Sequence, residues 1–197
     1  MDFLSLSREF VELLPSKGMA IDLRYASLNN FTGQNLYGDF KKAYLHSIAA
    51  EKLTKAAVIL QTLRPGYQMV IYDALRPRSA QQILWNHVKG TSKEQYVANP
   101  QGGSMHNFGF AVDLSLYDVS GKELDMGTLF DDFTPMSQPR LEDQFLKEGK
   151  LSEAQIQNRH LLRTAMEEAG FIQLPIEWWH FDALPKSEVK ANYKIIE

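Results

Sequence analysis

Two histidines and two carboxylates in this chain are spaced so that they could hold a metal ion and a water. His106 and Asp113 lie seven positions apart in "SMHNFGFAVDLSLYD" (104–118), and Glu177 precedes His180 by three in "EWWH" (177–180). After Gly109 the pattern alternates as a strand does: Phe110, Val112, Leu114 and Leu116 on one side, Ala111, Asp113 and Ser115 on the other. The apolar side is expected in the core, which turns Asp113 the opposite way. Two neutral imidazoles and one carboxylate, with a fourth position left to water, form a common ligand set for catalytic zinc. A structural zinc site would ordinarily use four protein ligands, mostly cysteine, and cysteine is absent. Glu177 is close enough in sequence to His180 to address the same water. In a regular strand residues i and i+3 face opposite ways, so this pair requires a turn or bulge between Trp178 and Trp179. The competing reading makes both tryptophans core and leaves Glu177 and His180 as solvated flanks.

Arg76, in "YDALRPRS", is the third place of interest. An arginine before a proline at a strand end is often a surface residue or a partner for a helix carboxylate. Here a buried strand delivers it to the sheet's end, where loops on a rigid scaffold often assemble sites. A permanent positive charge beside a metal is unfavourable unless negative charge develops there, as it does in a tetrahedral oxyanion. His46, His87 and His160 fall in expected helices without acidic or histidine partners at useful spacing, and read as structural or solvated.

The elements that must position these groups follow from periodicity. Residues 5–14 are expected to form a short helix and 20–25 a strand, followed by a polar loop. A helix over 43–63 carries Leu45, Ile48, Ala49, Leu53, Ala56, Leu60 and Leu63 on one stripe and stops at Pro65-Gly66. "YQMVIYDA" (67–74) reads as a buried strand, and Ser79 as the cap of a helix reaching 89. "DVSGKEL" reads as a hairpin turn, and 126–150 as a loop. "SEAQIQNRHLLRTAMEEAG" is the clearest helix, with Ser152 and Gln155 as a capping box and Gly170 as its C′ glycine. "FIQLPIEWWHFDAL" is strand-like, interrupted by Pro175. Helices and hairpin-linked strands without regular βαβ alternation indicate α+β, with a central antiparallel sheet flanked by helices.

Bulk properties exclude several classes. A chain of 197 residues, 44% hydrophobic and 23% charged, is most simply one domain over 1–197. At that size it can bury roughly 70% of its unfolded surface without disulfides. The net charge of -3 and the lack of a basic run argue against nucleic acid. The longest apolar run, "AAVIL", is far short of the about 20 residues that cross a bilayer. The N-terminus does not read as a signal peptide, which indicates a cytoplasmic protein, or a periplasmic one if a leader preceded it. Nothing in the sequence sets an oligomeric state.

Together these segments resemble a known family. "SMHNFGFAVDL" fits S-x-H-x-x-G-x-A-x-D, "EWWH" fits E-x-W-H, and "YDALRPRS" fits the arginine segment of the zinc D-alanyl-D-alanine dipeptidases, which are related to the vancomycin-resistance dipeptidases within the D,D-carboxypeptidase and Hedgehog-like zinc fold. "DLRYASLNNFTG", "MGTLFDDF" and "NRHLLRTAMEEAGF" follow the same order, so the likeness spans roughly residues 20 to 182. It implies one Zn2+ held by His106, Asp113 and His180 in a cleft on the sheet, Glu177 as general base and acid, and Arg76 as transition-state stabiliser. It also implies that Tyr25 and Asp131 lie around the substrate's amino end and that Ser104 lines the site. The family commonly has tyrosine before its arginine; Leu75 here bears on the shape of the nearby pocket and on substrate preference. The implied reaction is hydrolysis of the small substrate D-alanyl-D-alanine. The alternatives are a related D,D-carboxypeptidase acting on longer cell-wall peptides, or a non-catalytic zinc-binding module.

Overall fold

A computed structural model describes residues 9–197. In chain order the elements are β1 (Phe10–Glu12), β2 (Met19–Ile21), β3 (Tyr44–His46), α1 (Ser47–Leu63), β4 (Gln68–Asp73), α2 (Arg78–Val88), β5 (Ala111–Tyr117), α3 (Glu142–Lys147), α4 (Glu153–Glu168), β6 (Ile172–Gln173), β7 (His180–Asp182) and α5 (Lys186–Asn192). Short 3₁₀ turns lie between them, including Arg24–Ala26 and Met105–Phe108. The class is α+β, as expected. No helix among the described residues is long and apolar enough to cross a membrane.

The main sheet has the order β2-β4-β5-β7-β6, and β1 pairs separately with β3. β5 is central and antiparallel to both β4 and β7. The expectation of a central antiparallel sheet holds for β4, β5, β7 and β6 and needs one correction at the edge: β2 runs parallel to β4. A parallel pair requires a long crossover, and the chain supplies one by passing through α1 between the two strands. Strand β5 is buried along both faces, so the side carrying Asp113 and Ser115 is covered as well as the apolar side.

α1 buries Ala49, Ala50, Leu53, Ala56, Ala57 and Leu60, and packs on α4 and β4. It starts four residues later than the stripe suggests, because Tyr44–His46 pair with β1 instead. His46 becomes the cap, its Nδ1 accepting from the Ile48 N–H at 3.4 Å. Of the N-terminal helix expected over 5–14, Phe10–Glu12 form a strand and residues up to 8 lie outside the described part. The expected strand 20–25 is shorter, and its end is the 3₁₀ turn that carries Tyr25. Ser79 is not a cap: α2 begins at Arg78 behind Pro77, whose carbonyl accepts from the Gln81 N–H at 3.1 Å.

α4 begins with the capping box: Ser152 Oγ accepts from Gln155 N–H at 3.2 Å and Gln155 Oε1 accepts from Ser152 N–H at 2.8 Å. It ends before Gly170, which adopts φ 95°. Two short helices were not expected, α3 inside the 126–150 loop and α5 near the C-terminus. At six and seven residues they present too few turns for a period to register.

Candidate active site

Three neighbouring strands place three acid or imidazole side chains in one row. Asp73 pairs across the sheet with Asp113, and Asp113 with His180. A register irregularity between Ile71 and Asp73 sets the first of these pairs. His106 enters from the 3₁₀ turn just before β5. Ser104 caps that turn, its Oγ accepting from the His106 N–H at 3.4 Å, while Asn107 Oδ1 accepts from the Ser104 N–H at 2.7 Å. His106, Asp113 and His180 are all buried, and one ligand atom from each lies within 4.8 Å of the others.

The tautomers follow from the outer partners. His106 Nδ1 donates to the Ala74 carbonyl at 2.7 Å, and His180 Nε2 donates to Asp182 Oδ1 at 2.9 Å. This leaves His106 Nε2 and His180 Nδ1 facing each other at 3.2 Å, with Asp113 oxygens at 3.2 and 3.0 Å from them. Two nitrogen lone pairs and a carboxylate converging in this way need a proton or a cation among them. Outward N–H groups fixed by a carbonyl and a carboxylate are what orients imidazoles toward a metal. The donor set therefore fits a divalent ion of the zinc type.

Carboxylates flank the His180 imidazole on both sides. Burial disfavours charge on His180, yet Asp182 and Asp113 outweigh it and hold the imidazole well above its ordinary pKa. For Asp113, burial is likewise outweighed by His106 and His180, and its carboxyl is held well below the usual range. Metal must displace the His180 proton, so affinity should fall as pH falls below that raised pKa, by about tenfold per unit for one displaced proton. Titrating zinc against a competing chelator at several pH values checks this; an affinity independent of pH through the neutral and acid range would refute it.

Glu177 reaches the same place by the turn that its spacing to His180 demands, since Trp178 and Trp179 form a turn before β7. Both tryptophans are core residues: Trp178 Nε1 donates to Thr128 Oγ1 at 2.9 Å, and Trp179 packs edge-on against Phe130. Glu177 and His180 are not solvated flanks, however; both are buried. Glu177 Oε2 lies 3.9 Å from His180 Nδ1. Burial pushes the Glu177 carboxyl up to about 8, with His180 pulling it down. A cation brought to the ligand cluster would oppose the burial effect and ready Glu177 as a base near neutral pH.

Arg76 is buried rather than on the surface, and it is clamped. Its Nε donates to Asp73 Oδ2 at 2.8 Å, Nη2 lies 2.6 Å from the same oxygen, and Nη1 donates to Gln81 Oε1 at 2.9 Å. Nη2 is 3.4 Å from Asp113 Oδ2, and the guanidinium lies over the Tyr25 ring at 4.9 Å. Burial works against its charge, but the Asp73 carboxylate outweighs this and keeps the group firmly ionised. Asp73 also accepts from the Tyr37 hydroxyl.

Tyr25 donates to both carboxylate oxygens of Asp131, at 3.0 and 3.1 Å. Burial first, and Asp113 second, raise the Asp131 carboxyl well above its ordinary value. Asp131 has φ 61°, in the left-handed region that aspartate tolerates better than most residues. Its loop is tied at both ends by Arg159 of α4, which donates to the Met126 carbonyl at 2.7 Å and the Met136 carbonyl at 3.0 Å. Gly127 starts that loop at φ 83°, where a Cβ would sit 2.3 Å from Leu151 Cδ2.

Tyr25, Arg76, Ser104, His106, Asp113, Asp131, Glu177 and His180 all line one cleft of about 130 Å³. Typical ligand pockets are about 300–1,000 Å³, so this one suits a very small molecule. Leu75 is buried and is not part of the lining. His46, His87 and His160 are also outside it: His46 stacks on Phe110, His87 meets Phe31, and His160 is exposed beside Glu142. Sequence reasoning missed Asp73, Gln81 and Asp182. Asp73 carried the same signal as Asp113, an acid within an apolar strand, and Asp182 lies two residues from His180, hence on the same face.

A family model described as D-ala-D-ala dipeptidase, of peptidase family M15, matches residues 9–195. The chain belongs to the D-ala-D-ala dipeptidase family. Among its relatives, the D-alanyl-D-alanine dipeptidase of Escherichia coli is 36% identical over 178 residues, covering 90% of this chain and 83% of that protein. A D-alanyl-D-alanine dipeptidase of Enterococcus faecalis is 29% identical over 197 residues, covering 90% and 93%. One of Streptomyces coelicolor is 29% identical over 189 residues, covering 87% and 89%. The resemblance carried by the ordered motifs is thus borne out. Family M15 consists of metallopeptidases, which agrees with the His106, Asp113 and His180 cluster.

Proposed function

We propose that residues 1–197 form one zinc D,D-dipeptidase domain that hydrolyses D-alanyl-D-alanine to two D-alanines. The observation that carries this reading is the convergence of two oriented imidazoles and a carboxylate beside the buried, otherwise costly carboxyl of Glu177. His106, Asp113 and His180 would hold one Zn2+, which when bound supplies Lewis acidity and lowers the pKa of a water towards about 7. Glu177 accepts a proton from the attacking water and returns it to the leaving amine. Arg76 turns Nη2 toward the oxygen on which charge develops, its orientation set by Asp73 and Gln81. Asp131, steadied by Tyr25, takes the substrate's ammonium, and Ser104 forms part of the wall. The small cleft disfavours longer peptides, which would clash or leave a buried charge unpaired.

The test has two parts. Purified protein should carry about one zinc per chain, and single alanine changes at His106, Asp113 or His180 should weaken its retention. Assayed against free and blocked D,D- and L,L-dipeptides, it should cleave free D-Ala-D-Ala and spare acylated or longer peptides ending in it. Preferential cleavage of the longer peptides would instead identify a D,D-carboxypeptidase. Full zinc occupancy in a double alanine variant of His106 and His180 would remove the ligand assignment.

A further inference from the structure

The cleft lining carries six formally charged side chains besides its imidazoles: Arg76, Asp113, Asp131, Glu177, Asp182 and Lys186. Five have partners within the protein. Arg76 is held by Asp73, Asp113 lies between two imidazoles, and Asp131 accepts from Tyr25. Asp182 accepts from His180, and Glu177 faces His180 at 3.9 Å. Lys186 is different. Among the described residues it makes no hydrogen bond or ion pair, and it is solvent-exposed at the cleft. It opens α5, which packs against the 3₁₀ turn carrying His106.

The charge inventory has a consequence for a zwitterionic substrate. Its ammonium has Asp131, but its carboxylate needs a cation whose own charge is not already matched. Arg76 is committed elsewhere: Asp73 and Gln81 hold its guanidinium for the reacting oxygen, and Asp113 lies beside it. We infer that Lys186 binds the C-terminal carboxylate of the substrate and makes the free acid preferred over a blocked or extended C-terminus. The inference rests on the dipeptidase reading, and it adds the recognition element that this reading lacks.

The experiment compares kcat/KM for D-Ala-D-Ala and for its C-terminal amide on the zinc-loaded wild type and on Lys186→Met. Both substrates are measured on one preparation, so any loss of folded protein cancels from the ratio. The wild type should favour the free acid, and Lys186→Met should reduce that preference about tenfold or more, chiefly through KM, as expected for loss of a charge-assisted contact. Lys186→Arg should keep most of the preference, and Lys186→Glu should reverse it. An acid-over-amide ratio unchanged in Lys186→Met overturns the inference alone, as does a wild type that cleaves acid and amide equally. A Lys186→Arg variant as impaired as Lys186→Met also overturns it, since the stem rather than the charge would then matter. A wild type inert toward D-Ala-D-Ala overturns the dipeptidase reading and this inference with it.

Discussion

On the proposed mechanism, Glu177→Ala should bind zinc as the wild type does and keep its fold while losing about 10²- to 10⁴-fold in kcat, the usual worth of general acid–base catalysis. The structure sharpens the reason. Glu177 stands 3.9 Å from His180 Nδ1 and outside the cluster of His106, Asp113 and His180, so its removal takes away none of the proposed ligands. His180, which Glu177 faces, keeps its contacts to Asp113 and Asp182 when Glu177 is removed. Glu177→Gln should lose nearly as much, because it keeps the shape and cannot accept the proton. Metal content and kcat measured on the same samples decide the matter: zinc retained with near-normal turnover would mean that another group moves the proton.

Arg76→Lys should lower kcat by about 10²- to 10³-fold with a much smaller rise in KM, since the contact strengthens only as charge develops on the substrate oxygen. Lysine preserves the charge but cannot reproduce the clamp. Arg76 uses Nε and Nη2 on Asp73 and Nη1 on Gln81, a planar fork that one ammonium cannot match. A rise in KM at constant kcat, abolished when the substrate's carboxylate is amidated, would instead make Arg76 a carboxylate anchor. The same pair of substrates thus separates the role of Arg76 from that of Lys186.

Much of this architecture was legible because the signals were local. The capping box of Ser152 and Gln155, the stripe of α1 and the β-branched, aromatic run of β4 each state their element within a few residues. The parallel pairing of β2 with β4 was not legible, since it depends on a crossover and not on either strand's own pattern. Tyr44–His46 were drawn into the α1 helix for a related reason: their partner is β1, more than thirty positions away. At the site, residue types and spacing singled out His106, Asp113, Glu177, His180 and Arg76, while Tyr25, Ser104 and Asp131 were reached only through the family resemblance; all eight line the cleft. The partners that aim them were harder to see. Gln81 looks like any polar residue on a helix until its side chain is found bridging Arg76 and the Ala98 carbonyl.

The pairing of Asp113 with His180 makes the site intolerant of length changes in one hairpin and indifferent to them in another. β7 is three residues long, and a slip by one would set Phe181 opposite Asp113 and swing His180 to the other face. One residue inserted or deleted between Leu174 and Trp179 would therefore cost the chain its chemistry even where the sheet re-pairs and the protein still folds. The turn at Asp118–Lys122 closes the far end of β5, is mostly exposed and lines no part of the cleft, so insertions and tags can enter there without disturbing the Asp113–His180 register.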